Sequence, residues 1–364
     1  MAVYNRIAIL GLGLIGSSLA RAIAQHKLAE HIAAFDMSGQ TLHYAMQKGF
    51  IHSHHAHAGQ AVQDADLIIF ASPPATFESL AKDIAPFIKP GTLVTDVASV
   101  KRSAIASITK HLPNHAHYVP GHPITGSERI GVEAGRADLF AGKLVILTPE
   151  EDAVMSAPVA AISAFWKKID AKIEYMPAFL HDRIYAFVSH LPQLVAFAAW
   201  QSLKDARPAS NEIFSRFTRL AKSDPKLWAD ICTENADYIG EALGDFIPFA
   251  TQIMGELSEN TETADNDIHL ATDLFPKVVA TCLIGTISLL QERTGVHPVR
   301  YSGAGFADMT APALDDPEAA LAAISAHHNI IAQMLETMLV KLREMEKALS
   351  SKNSKNLAKI LTIG

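Results

Sequence analysis

Cysteine is nearly absent from this sequence. The chain has two cysteines, Cys232 and Cys282, and neither stands at a spacing typical of a metal site. Two isolated thiols exclude a disulfide scaffold and a cysteine-ligated zinc site. The histidine-rich stretch HSHHAHAG at 52–59 follows KGF in a predicted surface loop, and we interpret it as solvated. We therefore expect a protein of the reducing cytoplasm with no metal centre.

An excess of positive charge is also lacking, and so is a long uninterrupted apolar run. The formal net charge is −7 at pH 7, which argues against a nucleic-acid partner or an anionic membrane surface. No apolar run reaches the roughly 18 residues of a membrane-spanning helix, and the N-terminus enters a strand pattern without a basic leader. The expected partner is a small-molecule substrate, not a nucleic acid or a membrane.

Apolar sequence, by contrast, is sufficient for two cores. The chain has 364 residues, of which 49% are hydrophobic and 19% charged, a length that suits two domains. Apolar runs alternate with helical patterns over residues 1–177, which predicts a doubly wound α/β sheet of Rossmann type. Long helical patterns replace the strands over residues 178–364. This plan resembles that of the 6-phosphogluconate-dehydrogenase-like reductases, which join a Rossmann domain to an all-α domain.

The most specific local pattern is RIAILGLGLIGSSLARAI, at 6–23. An apolar strand leads into three glycines and then a helical pattern, which is the order of a dinucleotide-binding fingerprint. Gly11 permits the tight turn, Gly13 lets the backbone approach a pyrophosphate, and Gly16 lets the helix pack on the strand. The amides at the helix start, around Leu14 and Ile15, face the phosphate.

Polar residues and a proline stand at the ends of the next strands. The second strand pattern ends on Asp36, about 20 residues past the glycines. An acid there accepts hydrogen bonds from a ribose hydroxyl and repels a 2′-phosphate, so we predict NAD rather than NADP. Later strands end at Ser72, which precedes Pro73, and near Ser99. A cofactor would cross the sheet at these strand ends.

His122 opens the segment HPITG, beyond a further strand pattern. Pro123 restricts the backbone of His122 to extended conformations and has no amide hydrogen to donate. The imidazole is therefore held on a stiff corner at the same sheet edge as Ser72 and Ser99, where α/β proteins bind ligands. Histidine is the side chain best suited to act as a base near pH 7.

These blocks, in this order, resemble the prephenate/arogenate (cyclohexadienyl) dehydrogenase family. The segments that carry the resemblance are GLGLIGSSLA, TDVASVK, GHPITGSERIGVEAG, LVILTP, HDRIYAFVSHLPQLVAFA and FTRLAKSDPKLWADICTEN. The resemblance implies NAD-dependent oxidative decarboxylation of prephenate or arogenate, which yields 4-hydroxyphenylpyruvate or tyrosine.

The resemblance also implies roles for individual residues. His122 is the implied catalytic base, and Ser99 assists at the reacting hydroxyl. Arg219, in the FTR block, is implied to bind the ring carboxylate. Further residues are expected near the keto-acid or amino-acid side chain of the substrate, namely Ser127, Glu128, His190 and Gln193.

The sequence departs from the family pattern at two places. Gln193 stands where many members have a histidine, and Arg216 stands where an acid is common. Both positions border the part of the substrate that is distant from the reacting carbon. A keto acid (prephenate) and an amino acid (arogenate) therefore both stay open as substrates.

Structural and functional alternatives also stay open. His122 could bond to a backbone group, Arg219 could form a structural ion pair, and His190 could pack inside a helix. His181 could bond to Asp182 for structural reasons alone. Two other functions compete, a two-domain β-hydroxy acid reductase and a non-catalytic NAD-binding sensor. The first commonly uses a lysine of the helical domain, and the second predicts no dependence on His122.

The last third of the chain repeats part of the helical pattern. Two pairs of segments are similar, LPQLVAFA at 191–198 with FPKVVATC at 275–282, and FSRFTRLAKSDP at 214–225 with FADMTAPALDDP at 306–317. We interpret this as a degenerate duplication of the helical unit, 178–260 and 265–350. The copy lacks the functional residues, since Ala311 stands in the place of Arg219. The expected assembly is a homodimer or an internally pseudo-dimeric monomer.

Overall fold

A six-stranded parallel sheet forms the centre of the N-terminal unit. Its strands are β1 (Tyr4–Leu10), β2 (Ala29–Phe35), β3 (Ser53–His54), β4 (Leu67–Phe70), β5 (Leu93–Asp96) and β6 (His117–Val119). Their order across the sheet is β3-β2-β1-β4-β5-β6. In this dinucleotide-binding order the ligand crevice lies where the strand order reverses, between β1 and β4. The predicted Rossmann-type sheet is confirmed.

The structure is a computed structural model that describes residues 3–125, 129–202, 216–259, 268–314 and 317–362. The chain divides into two units, Met1–Asp182 and Arg183–Gly364. The sequence placed the boundary at 177/178, a few residues earlier. The division lies beyond Asp182 because the carboxylate of this residue is bonded within the first unit, to the backbone of Lys101 and Arg102.

Hydrophobic cores lie on both faces of the parallel sheet. Alternate residues of a strand point to opposite faces, so Ile7 and Ile9 of β1 enter one core while Ala8 and Leu10 enter the other. The helices of this unit are α1 (Leu14–Gln25), α2 (Gly39–Gln47), α3 (Ala58–Val62), α4 (Phe77–Ile84), α5 (Lys101–Thr109) and α6 (Ala157–Lys167).

A smaller sheet carries His122. Its strands are β7 (Gly121–Pro123), β8 (Leu144–Leu147) and β9 (Lys172–Tyr175), with β7 antiparallel and β9 parallel to β8. His122 pairs with Ile146 in this sheet. Pro120 separates β6 from β7 because proline has no amide hydrogen for a strand ladder. The chain therefore leaves the large sheet just before His122.

The second unit is helical in its described residues, as the sequence predicted. Its helices are α7 (Ala178–Tyr185, which begins in the first unit), α8 (Leu191–Ser202), α9 (Pro225–Glu234), α10 (Ala236–Ser258), α11 (Ile268–Thr294), α12 (Ala304–Thr310), α13 (Pro317–Ala326), α14 (His328–Ser350) and α15 (Ser354–Leu361). A π-helical turn, Ala186–His190, joins α7 to α8. The long helices α10 and α14 pack against each other.

One described helix is long and apolar enough to cross a membrane, by length and composition only. This segment is Asp273–Thr294 of α11, and its most apolar window has a mean hydropathy of 1.6, with 61% of the window buried in the fold. This segment is longer than the uninterrupted apolar runs of the sequence because it contains isolated charged residues such as Lys277. The helix packs against α10 and α14, as a core helix of a folded domain does.

Gly16 and Gly13 provide a matched test of the glycine loop. A Cβ atom on Gly16 would lie 1.9 Å from the carbonyl oxygen of Gly11, so Gly16→Ala forces α1 away from the loop. We expect a loss of stability of about 1–3 kcal/mol, measured by urea unfolding. A Cβ atom on Gly13 would meet no described atom within 4 Å, so Gly13→Ala should unfold like the wild type and lose only NAD affinity. Equal stability of the Gly16→Ala variant and the wild type would contradict this packing argument.

Candidate active site

The glycine loop occupies the crevice between β1 and β4. Gly11 has a φ of +103°, and a Cβ atom on it would lie 2.6 Å from the backbone nitrogen of Ser72. The loop therefore passes directly against the backbone that follows β4. Gly13 is exposed and stands at the N-cap position before α1, where it provides no side-chain cap. Its uncapped helix start leaves backbone amides directed at an open surface, which is the requirement for binding a pyrophosphate.

Asp36 is fixed beside this loop. Its Oδ2 atom accepts a hydrogen bond of 2.7 Å from the Leu12 amide, and its Oδ1 atom accepts one of 2.8 Å from the Ser38 amide. The half-buried carboxylate is thus oriented at the end of β2, where the ribose of a dinucleotide is recognised. The other predicted cofactor residues border the same crevice, with Leu14 and Ile15 half-buried in the first turn of α1, Ser72 half-buried and Pro73 exposed.

His122 belongs to a chain of three hydrogen-bonded side chains. Its Nδ1 atom lies 2.8 Å from Nε2 of His181, and Nδ1 of His181 lies 2.8 Å from Oδ1 of Asp182. His181 and Asp182 are fully buried, whereas His122 is half-buried. The arrangement is a buried carboxylate that orients one imidazole, which in turn orients a second, more accessible imidazole.

The pKa values of the buried pair fix the direction of these bonds. Burial by itself would raise the pKa of Asp182, but hydrogen bonds from His181 and from backbone amides outweigh it and lower that pKa. Burial lowers the pKa of His181, against the opposing effect of Asp182. A neutral His181 that donates from Nδ1 to the Asp182 carboxylate must accept at Nε2. His122 therefore donates from Nδ1 and, in its neutral form, carries its ring lone pair on Nε2.

A buried ion pair holds the backbone that precedes His122. Lys101 and Asp96 form this pair with fully buried side chains, and the Lys101 ammonium also donates to the Gly121 carbonyl oxygen at 2.5 Å. The phenol of Tyr118 donates to the second Asp96 oxygen at 2.7 Å. Burial lowers the pKa of Lys101, and the charge of Asp96 opposes that effect. Removing one partner of such a pair leaves an uncompensated buried charge.

Sequence reasoning did not assign Lys101 to the site. The available signal was its position two residues after Ser99 in the quoted block TDVASVK. Ser99 itself is half-buried in the connection between β5 and α5. The predicted substrate-binding residues Ser127 and Glu128 lie outside the described residues, so their roles stay predictions.

Arg219 forms an ion pair within the second unit. Its Nε and Nη2 atoms donate to Oδ2 of Asp308 at 3.0 and 2.7 Å. The Arg219 side chain is 32% exposed and that of Asp308 is 19% exposed. Arg216 donates to the other oxygen of Asp308 at 3.3 Å. Asp308 was not predicted as a site residue, although the structural alternative for Arg219 was an ion pair of this kind.

His190 and Gln193 lie inside the helical unit, each about 1% exposed. The Nδ1 atom of His190 lies 3.2 Å from the Asn235 amide nitrogen, and its ring meets Trp228 edge-on. The Gln193 amide donates to the Leu220 carbonyl oxygen at 2.6 Å. That bond fixes which side of the Gln193 amide is the oxygen, and among the described atoms this buried oxygen has no hydrogen-bond partner.

The histidine-rich stretch at 52–59 takes part in the sheet edge. Nδ1 of His52 accepts from the Ile32 amide at 2.9 Å, and Nε2 of His55 lies 3.4 Å from an Arg6 nitrogen. Within the described part of the chain, no group of three or more His, Cys, Asp or Glu side chains is arranged to hold a metal ion. His52 and His55 thus have partners in the first unit, whereas His54 and His57 are exposed.

Both units match models of one protein family. The nucleotide-binding domain of prephenate dehydrogenase matches residues 19–175, and the prephenate dehydrogenase dimerization domain matches residues 177–272 and again 262–363. The chain belongs to the prephenate dehydrogenase family. The predicted family is thus confirmed. The first match begins after the glycine loop, so the assignment of the loop depends on its own geometry.

Individual relatives cover most of the chain. It is 35% identical to the cyclohexadienyl dehydrogenase of Zymomonas mobilis, over 68% of this chain and 86% of that protein. It is 29% identical to the prephenate dehydrogenase of Bacillus subtilis, over 67% of each. Among solved structures, the prephenate dehydrogenase of Aquifex aeolicus in complex with hydroxyphenyl propionate and NAD+ matches with a TM-score of 0.63 and 29% identity, over 70% of this chain and 90% of that one.

The buried neutral His181 should make the stability of the protein depend on pH. Its pKa is lowered in the fold, whereas the pKa of an unfolded histidine is about 6.5. The unfolded state therefore binds a proton that the folded state does not, and the free energy of unfolding should fall as pH drops below about 6.5. We expect His181→Asn to flatten the profile of urea unfolding between pH 7.5 and 5.5. The exposed His117 gives the matched control, His117→Asn, and an unchanged slope in His181→Asn would contradict the argument.

Proposed function

We propose that this chain catalyses the NAD-dependent oxidative decarboxylation of prephenate or arogenate, to 4-hydroxyphenylpyruvate or tyrosine. The observation that carries the proposal is the hydrogen-bonded chain from Asp182 through His181 to His122, at the carboxyl edge of a dinucleotide-binding sheet. Its family membership and the cyclohexadienyl dehydrogenase among its relatives support the same reaction.

The glycine loop and Asp36 fit NAD. Gly11 and Gly16 have no room for a side chain, and Gly13 leaves an open surface at the start of α1. Leu14 and Ile15 supply the first turn of that helix, Ser72 and Pro73 border it, and Asp36 is oriented to accept from a ribose hydroxyl. NAD, when bound, supplies the acceptor for the hydride that leaves the ring carbon bearing the hydroxyl.

His122 acts as the base on that ring hydroxyl. Its Nε2 atom accepts the hydroxyl proton, and Nδ1 keeps its bond to His181. The positive charge that develops on His122 is stabilised through His181 by the buried Asp182 carboxylate. Ser99, in the connection between β5 and α5, assists at the same hydroxyl. Loss of carbon dioxide from the quaternary ring carbon then yields the aromatic ring.

Arg219 binds the ring carboxylate. A guanidinium offers five N–H donors in a planar fork, a geometry that suits bidentate recognition of a carboxylate. The family resemblance of the FTR block supports this role. Ser127, Glu128, His190 and Gln193 are proposed on the side-chain side of the substrate.

We propose that Gln193 determines whether the protein prefers prephenate or arogenate. Its buried amide oxygen can only accept hydrogen bonds, and an ammonium group donates them whereas a keto group does not. We therefore expect Gln193 to favour the amino group of arogenate, so that both substrates should be assayed side by side.

The proposed location is the cytoplasm. Cys232 and Cys282 are free thiols, both buried, which suits a reducing compartment. The proposed assembly is a dimer, or one chain that contains both halves of a dimer, because the matched helical model is a dimerization domain.

The first test is NADH formation at 340 nm with prephenate or arogenate, for the wild type and His122→Asn. We expect turnover by the wild type, and a loss of about 10²–10⁴-fold in kcat for the variant, since a general base contributes that much to the rate. NAD affinity, measured by fluorescence titration, should be unchanged because the glycine loop and Asp36 are intact. Full activity of His122→Asn would refute its role as the base.

The second test is Arg219→Ala. The KM for the cyclohexadienyl substrate should rise by about 10- to 100-fold, the value of a hydrogen bond to a charged group. The KM for NAD should stay constant, because the ring carboxylate belongs to the other substrate. Arg216→Ala is the matched control, since this more exposed arginine also contacts Asp308. Equal changes in both Michaelis constants would indicate that Arg219 maintains the fold instead.

A further inference from the structure

The second unit contains two successive copies of one helical arrangement. Helices α9 and α13 are both 10 residues long, and α10 and α14 are both 23. The second member of the long pair begins 92 residues after the first (328 − 236). The residues that precede them have nearly the same backbone angles, φ −118° and ψ 27° at Asn235 against φ −117° and ψ 22° at His327. The dimerization-domain model matches twice, once on each copy.

Each copy packs its long helix against a helix of the other copy. Helix α10 of the first copy packs against α11 of the second, and α14 of the second copy packs against α8 of the first. A repeat that merely stacked on its neighbour would make such a contact in one direction only. Contacts made in both directions are characteristic of a two-fold axis, as between the subunits of a symmetric dimer.

Equivalent residues also contact each other. Arg216 and Asp308 stand 92 positions apart and are joined at 3.3 Å. Thr251 and Arg343 stand 92 positions apart and are joined at 3.3 Å as well. Two equivalent positions in a two-fold arrangement meet only near the axis, so these pairs mark its course. Buried side chains line the long helices at equivalent places, namely Ile239 with Ile331, Leu243 with Leu335, Phe246 with Met338, and Ala250 with Leu342.

Across this axis the second copy reaches Arg219 of the first. Asp308 accepts from Nε and Nη2 of Arg219, and a Cβ atom on Gly305 would lie 2.9 Å from the Leu220 side chain. The reverse contact has no counterpart, because Ala311 stands where Arg219 would be repeated. The arrangement is thus symmetric in its packing and asymmetric in its charged residues.

We propose that the second helical copy replaces, within one chain, the partner subunit of a dimer, and that its Asp308 positions Arg219 for the substrate. One site per chain results, because only one of the two crossings retains the arginine. The positioning role depends on the proposed function of Arg219, whereas the internal two-fold arrangement does not.

The test of the positioning role is Asp308→Asn in the full chain. We expect the KM for prephenate or arogenate to rise about tenfold, with a smaller change in kcat and an unchanged KM for NAD. Asp308→Glu should recover part of the loss. In Arg219→Ala, the further change Asp308→Asn should add nothing, because both act on the same contact. Arg343→Ala, which removes a contact on the same axis away from Arg219, is the matched control and should leave both constants unchanged.

The outcomes separate this inference from the proposed function. If Arg219→Ala raises the substrate KM but Asp308→Asn leaves it unchanged or lowers it, the positioning role is wrong while the role of Arg219 stands. If Arg219→Ala itself has no effect, the proposed function of Arg219 is wrong.

Co-expression of the two single variants tests whether the arrangement lies within one chain. Chains carrying Arg219→Ala and chains carrying Asp308→Asn each lack one partner of the contact. If both partners come from one chain, the mixed sample should contain no component with the wild-type KM. Recovery of such a component would mean that the contact forms between chains, and would overturn the internal arrangement.

Discussion

The buried carboxylate of Asp182 is the group on which the hydrogen-bonded chain to His181 and His122 depends. It accepts from the Lys101 and Arg102 amides at 2.7 and 2.9 Å, so it caps α5, a helix whose preceding residue Val100 provides no side-chain cap. The same carboxylate orients His181. One residue thereby secures the start of α5 and determines which nitrogen of each histidine carries the proton. A charged group in this position is stable because backbone amides and the side chains of Arg102 and His181 donate to it.

A second buried carboxylate, Asp96, holds the other side of the same region. It ends β5, pairs with Lys101 and accepts from Tyr118. Since Lys101 also donates to the Gly121 carbonyl, the strand that carries His122 is attached to the large sheet through a side chain as well as through the backbone. The two carboxylates meet at Lys101, one at its amide and one at its ammonium. His122 is therefore positioned by buried charges that have partners, and not by apolar packing alone.

In the helical unit, apolar and charged residues differ in how far they are retained between the two copies. Apolar residues are retained at equivalent places in both copies, since each buried side chain contributes to the shared core. Charged residues differ between the copies, as in the pair Arg219 and Ala311. In the arrangement that we propose, packing preserves the two-fold symmetry while the chemistry needs only one site. In that arrangement, Asp308 of the second copy positions Arg219 of the first.

The sequence by itself determined the parts whose physical cause is local. A strand, three glycines and a helix are adjacent in the chain, and so are His122 and Pro123, so turn chemistry and hydrophobic periodicity were enough to predict the sheet and the NAD loop. The family was predicted from the resemblance of whole sequence blocks in their order along the chain. The tertiary structure alone decided which charges meet. His122 and His181 are 59 residues apart, Lys101 and Asp182 are 81 apart, and Arg219 and Asp308 are 89 apart. No local pattern encodes these pairs, because a buried charge is stabilised by whichever partner the packing of distant elements brings within hydrogen-bond distance.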